Sequence, residues 1–282
     1  MAVVYGVDFS GARLAGRTTW VARCTWTGRG ARRRLRLEWL ETLERLRGTA
    51  ERGGALAHLV RMIRASRRAL WGIDAPFGLP VEVLDDGTRW TGQLRLVREW
   101  PADDGYGLGL WALARAKALG HRGHIRRATD HVAKAPFDPY HYRIIYQTFH
   151  AMRDVAAPLA RELETAILPF HYRRLPAARR IVVETCPGST LKRLGLPHQN
   201  YKQPEGGPLT LRRRRTRREI LAGLEPYVEI GERDRRRIIR NPGGDALDAV
   251  IAAVGTGQAW RGAEHGAIAG DRRAAREGFL YY

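Results

Sequence analysis

Cysteine is nearly absent from this chain: Cys24 and Cys186 are the only two in 282 residues, and both sit inside apolar runs. Two thiols so placed read as small buried hydrophobes, which excludes a disulfide framework and a cysteine metal site. Lysine is scarce as well, with only Lys117, Lys134, Lys192 and Lys202 against 45 arginines. No uninterrupted apolar run approaches the ~20 residues that a membrane-spanning helix needs. The short apolar N-terminus is broken by Asp8 before it forms a signal-peptide core. These absences predict a soluble, cytoplasmic protein without a membrane partner.

Acidic charge is also in deficit: 29 Asp+Glu face 49 Lys+Arg, leaving a formal net charge of +20. Such a surplus favours polyanionic partners, nucleic acid (DNA or RNA) first and anionic membrane surfaces second. Arginine enrichment also follows from genome coding composition, so charge alone narrows the partner class without fixing it. An apolar content of 44% and eight Trp residues argue against disorder. The length suits one large domain, 1–282, carrying an insertion.

The stretch Val3 to Ala12, VVYGVDFSGA, reads as a buried strand closed by Asp8 and a tight turn. An acid there either caps the turn through its own backbone or lies in a polar pocket that requires a cation or strong donor. Residues 17–27 and 35–40 read as two further strands of an antiparallel meander, with TGRGARRR (27–34) as the loop between them. Leu56, Leu59, Val60, Met62 and Ile63 recur at helical spacing within 55–70. ALWGID (69–74) then repeats the first pattern, an apolar run ending in Asp74 and stopped by APFGLP. If it lies parallel to the first strand, both carboxylates reach one sheet edge.

Residues 89–176 are read as a mostly helical insertion, a lid over the site, with 111–119 and 142–163 its clearest helices. His121, His124 and His131 lie within it at spacings that fit no standard zinc pattern. Tyr140, Tyr142, Tyr146 and Phe149 are spaced for a helical core face, with base stacking as the alternative. RIVVETC (180–186) is a third apolar run, ending in Glu184. The basic runs 211–219 and 233–240 are either solvated helix faces or a track for phosphates. Beyond the Asn-Pro-Gly-Gly break at 241–244, DALDAVIAAVGTGQAW reads as a buried helix opening with Asp245 and Asp248. Both acids complement the helix dipole, yet a buried Asp248 also needs a partner. GFLYY at the C-terminus reads as a last strand or a docked tail.

Three acid-tipped strands and an acid-opened helix look like the ribonuclease-H-like fold. This is an α/β class with a mixed sheet (a three-stranded antiparallel meander plus parallel strands) flanked by helices. D-x-x-D-A at 245–249 is similar to the end of the Holliday-junction-resolvase branch. GVDFSGA, GIDAPFGLP, VVETCPGSTLKRLGLPHQNYK, GDALDA and EGFLYY, taken in order, resemble the domain of unknown function 429 family of predicted ribonuclease-H-like nucleases. RATD (127–130) resembles an element of that family's insertion.

The resemblance implies a nuclease that hydrolyses phosphodiester bonds with Mg²⁺ or Mn²⁺. Clustered carboxylates require divalent cations to stay ionised, and an oxygen-only set suits these two metals. Asp8, Asp74, Glu184, Asp245 and Asp248 are the expected catalytic and metal-binding residues of a two-ion site, with Asp8 as the bridge. Arg13, Lys202 and Arg127 are the expected substrate-binding cations. A non-catalytic nucleic-acid-binding protein with the same fold is the alternative. An ATP-dependent phosphotransferase of the actin/hexokinase-like fold fits less well, because Ala-Pro-Phe after Asp74 offers no run of free backbone N–H groups.

Overall fold

The opening strand β1 (Val3–Asp8) is buried over its second half, which accounts for the nearly continuous apolar run before its terminal acid. In the computed structural model, which describes residues 1–30, 33–101, 104–203 and 206–282, β1 lies at the centre of a seven-stranded sheet. Part of the expected 27–34 loop and two positions of the 89–176 segment lie outside the described residues. On one side β1 pairs antiparallel with β2 (Trp20–Thr27), and β2 pairs antiparallel with β3 (Arg34–Thr42). On the other side β1 pairs parallel with β4 (Ala69–Ile73). Past β4 lie β5 (Thr165–Ile167) and β6 (Arg180–Glu184), and beyond β3 lies the two-residue β7 (Val228–Glu229). The order is β5-β6-β4-β1-β2-β3-β7, with every pair outside the β1–β2–β3 meander parallel. This mixed α/β sheet is consistent with the ribonuclease-H-like fold expected above.

Helices cover both faces. The helix Arg52–Ala65 and the segment from Trp90 to Ala160 pack on one face around Trp71, Leu59 and Phe149. The helices Leu211–Leu224, Glu232–Arg240 and Asp245–Gly262 cover the other, around Val4, Leu221 and Val250. The last of these lies directly on the strands. A Cβ added to Gly6 would overlap the Ala249 carbonyl and the Ala253 nitrogen, and one added to Gly72 would overlap the Thr256 hydroxyl. Glycine is needed at Gly6 because the helix backbone itself lies too close for a side chain, and at Gly72 because the Thr256 side chain fills the space.

Some local readings differ from this structure. Arg17 belongs to a helical turn, Ala15–Thr18, and not to β2. The insertion is helical as far as Ala160 but then supplies β5, an edge strand of the main sheet. Within it, the helix expected over 142–163 is Ile145–His150, a π-helical stretch Ala151–Ala156 and Ala157–Ala160. Tyr140 and Phe149 are core residues, whereas Tyr142 and Tyr146 are exposed. At the C-terminus, Leu280 makes a single parallel bridge with Glu184, and Tyr281 is fully buried.

Candidate functional site

Because β1 and β4 are parallel neighbours in register, Val7 against Ile73, the acids that follow emerge side by side. The Asp74 N–H donates to the Val7 carbonyl at 2.9 Å and fixes the two strand ends together. Asp8 is 7% exposed and Asp74 half-buried. Among the described residues neither carboxylate accepts a hydrogen bond. The consequence is electrostatic. Burial pushes the Asp8 carboxyl well above the usual range, and Asp248, Asp245 and Asp74 push it further against the pull of Lys202. Burial, with the charge of Asp248, raises Asp74 to about 7.

The helix Asp245–Gly262 carries the other two aspartates over β1. Its first turn is held by Asn241, whose side chain accepts from the Ala246 N–H at 3.2 Å, after a left-handed Gly244 at φ 88°. Asp245 is half-buried, and its carboxyl is raised by burial. Asp248 is fully buried and has the partner that its apolar surroundings demand. It accepts from the Tyr201 hydroxyl at 2.9 Å and from the Lys202 ammonium. Burial works against charge on Lys202, but Asp248 and Asp8 outweigh it and raise the amine well above its ordinary value.

Tyr201 and Lys202 are held in place by Arg217, an arginine of the basic run 211–219 that is fully buried. Its guanidinium donates to the carbonyls of Tyr201 at 2.6 Å, Ile238 at 3.3 Å, Ile239 at 3.1 Å and Pro242 at 2.7 Å, and also to that of Asn241. One side chain therefore ties the 201–203 loop to the loop that precedes Asp245. The run is in this respect neither a plain solvated face nor a plain phosphate track.

Glu184 reaches the same end of the sheet but is committed elsewhere. Its carboxylate accepts from the Phe77 N–H at 3.0 Å and from both terminal nitrogens of Arg127. Arg127 also grips Asp130 at 2.8 and 3.0 Å and the Glu277 carbonyl at 3.0 Å, with 1% of its side chain exposed. Burial raises Glu184, and Arg127 opposes it. The expected metal ligand Glu184 and the expected substrate cation Arg127 thus neutralise each other in a buried pair that joins the insertion to the sheet. The same pairing occupies the Phe77 N–H, which removes a donor that a nucleotide phosphate would need after Asp74. Arg13 lies in the exposed loop past Asp8, outside the cavity described next; its carbonyl accepts from the Arg52 N–H at 3.0 Å.

Asp8, Asp74 and Asp248 face a cavity of about 420 Å³ shared with Tyr201, Lys202, Lys192 and His198. The insertion forms its opposite wall through Phe137, Ile144 and Gln147. Gln147 donates to the Phe9 carbonyl at 2.7 Å, which locks the turn after Asp8 against that wall. Thr185 also lines the cavity, and its hydroxyl is buried without a partner among the described residues. Tyr201, Gln147 and Thr185 escaped sequence reasoning, although Tyr201 stands beside the flagged Lys202. Among the described residues no three His, Cys, Asp or Glu side chains stand together closely enough to hold a metal ion by themselves. The unpaired carboxylates of buried Asp8 and half-buried Asp74 fit a different arrangement, one hard divalent ion held by one or two carboxylates and completed by substrate phosphate.

Cys24 and Cys186 are free, and burial raises both thiols. No helix among the described residues is long and apolar enough to cross a membrane. Residues 6–272 match the family model described as Protein of unknown function (DUF429), a span that includes four of the five resembling blocks and stops short of EGFLYY. No curated protein and no solved structure matches the chain.

Proposed function

We propose, for a chain that belongs to the DUF429 family, a metal-dependent nuclease that hydrolyses phosphodiester bonds of DNA or RNA in the cavity bounded by Asp8 and Asp74. One observation carries this reading. Asp8, buried, and Asp74, half-buried, stand at adjacent parallel strand ends with no ion pair among the described residues, Lys202 being paired with Asp248, and they open on a cavity in a chain of net charge +20. Carboxylates kept this way are costly unless a cation or a proton neutralises them.

Mg²⁺ or Mn²⁺ suits these oxygen donors; held by Asp8 and Asp74, it would offset phosphate charge and lower the pKa of a bound water. A two-ion site needs a further carboxylate, and Asp248, with Asp245 behind it, is the nearest supply. The chain's own groups contribute the rest. Lys202, positioned by Asp248, and Lys192 at the rim present positive charge to a phosphate oxygen. The insertion residues Phe137 and Ile144 add apolar surface to the cavity lining.

A non-catalytic nucleic-acid-binding protein is the second reading. The observation that favours it is the pairing of Asp248 with Lys202 and of Glu184 with Arg127, which among the described residues leaves no three free acids together. Labelled single-stranded, hybrid and branched substrates incubated with Mg²⁺ or Mn²⁺ separate the two. Cleavage is expected, and Asp8→Asn is expected to slow it by about 100-fold or more, within the range of lost metal-assisted catalysis. Equal rates for Asp8→Asn and the parent chain would sink the assignment, and no cleavage by the parent would favour the binder.

A further inference from the structure

Trp20 stands opposite Asp8 in the β1–β2 register. Such cross-strand partners project from one sheet face about 4.5–5.5 Å apart. On that β2 side, away from β4, opens a second cleft of about 480 Å³, walled by Trp20, Asn241 and five arginines. Asn241 links it to the carboxylate site, because its side chain caps the helix that carries Asp245 and Asp248. The arginines differ in what they are free to do. Arg237 is spent: it forks onto Glu41 at 2.6 and 2.7 Å and lies 4.8 Å over the Trp20 ring, forming the floor. Arg45 meets Glu41 at 3.1 Å with its side chain 67% exposed.

Arg233, Arg236 and Arg240 are the remainder, all exposed on the helix Glu232–Arg240. Their spacing of three and then four places them on one helix face. Arg236 has only a 3.9 Å contact with Glu232, and among the described residues the side chains of Arg233 and Arg240 make no ion pair or hydrogen bond. Like charges at this spacing cost stability unless an anion lies between them. Guanidinium groups match phosphate with paired donors.

We propose that this cleft seats the backbone phosphates of a polynucleotide strand whose neighbouring phosphodiester enters the Asp8–Asp74 cavity; that placement of the scissile bond rests on the nuclease reading above. The strand then extends several nucleotides past Asp8 on the β2 side, so the preferred substrate is a polynucleotide and not a mononucleotide. An anionic bilayer is the other polyanion that arginines attract. The cleft has no exposed apolar side chain to enter one, since Trp20 is 7% exposed and covered by Arg237.

The test is fluorescence anisotropy of labelled 20-nucleotide DNA and RNA on the full chain, without divalent ions, across a salt series. R233Q/R236Q/R240Q is compared with R61Q/R67Q/R98Q, which removes the same charge from exposed positions elsewhere, both checked for native circular dichroism. The first variant is expected to bind at least tenfold more weakly and to flatten the salt slope by about 2–3, close to one unit per lost phosphate contact. The second is expected to change affinity no more than about twofold. Equal losses in both variants would show diffuse charge and overturn the cleft, as would an unchanged slope. Lost sedimentation with phosphatidylserine vesicles alongside intact oligonucleotide binding would overturn it in favour of a membrane surface. Binding through the cleft by a chain that cleaves nothing supports the cleft and refutes only the nuclease reading.

Discussion

The Asp74 N–H donates to the Val7 carbonyl at 2.9 Å, so the backbone fixes the strand ends bearing Asp8 and Asp74 side by side before either carboxylate has a partner. Folding therefore builds a site with surplus negative charge. Saturating Mn²⁺ at 100 times its dissociation constant is expected to stabilise the fold by about 2.7 kcal/mol. A calorimetric scan should register that as a rise in Tm of about 5 °C or more for a chain of this size. Asp74→Asn should abolish most of the rise while leaving the metal-free protein at least as stable as the parent, and an unchanged rise would count against the site.

The Arg127–Glu184 pair makes the opposite prediction. Arg127→Met strands Glu184 and Asp130 as buried acids, and loss of one partner of such a pair costs about 3–5 kcal/mol. Urea unfolding should show this, and adding Glu184→Gln should recover part of it, because the two sites are coupled. Additive losses would mean that the pair is energetically loose.

Gly6→Ala should be severe for a residue so small. The added methyl meets the backbone of Ala249 and Ala253, which cannot yield by changing rotamer. Overpacking usually costs about 1–3 kcal/mol, and a clash with backbone belongs at or above the upper end. A neutral result in denaturant titration would mean that the helix can stand off β1 far enough to admit a methyl group.

His171 supplies a pH dependence away from the acids. Burial, with Arg174 nearby, lowers its pKa to about 4, against about 6.5 in an unfolded chain. The unfolded state therefore binds more protons between these values. Stability is expected to fall as pH drops from about 6.5 to about 4, by at most about 1.4 kcal/mol per unit from this group. His171→Asn should flatten the stability profile in that window, and a profile of unchanged steepness would assign it to other groups.

Thiol labelling gives a simple check of the interior. Burial raises Cys186 to about 12 and Cys24 further, so little thiolate exists in the native protein at pH 8. Ellman's reagent should react with neither within minutes, and with both after denaturation.

Asp8 and Asp74 were legible in the sequence because each follows a run of residues fit only for a buried strand, and parallel pairing does the rest. Glu184 was legible as a strand-end acid, but its role was not: Arg127 arrives through the insertion from 57 residues upstream, a distance that no local pattern spans. Arg217 was hidden for a related reason. Among the arginines of 211–219 it has no distinguishing neighbour, and only the fold turns it inward. β5 and β7, three and two residues long, are too short to display an alternation. The meander, the helix opened by Asp245 and the carboxylate edge were therefore readable, and the pairing of Glu184 with Arg127 and of Asp248 with Lys202 was not.

The bonds of Arg217 all end on main-chain carbonyls, a group that every amino acid carries. Arg217's own hold on the loops at Tyr201 and Asn241 is thus indifferent to which side chains they display. His198 and Gln199, which border the cavity beside that frame, can be exchanged while Lys202 stays to meet Asp248, which makes this rim the natural place to alter guest preference while the acid-bearing sheet stays fixed.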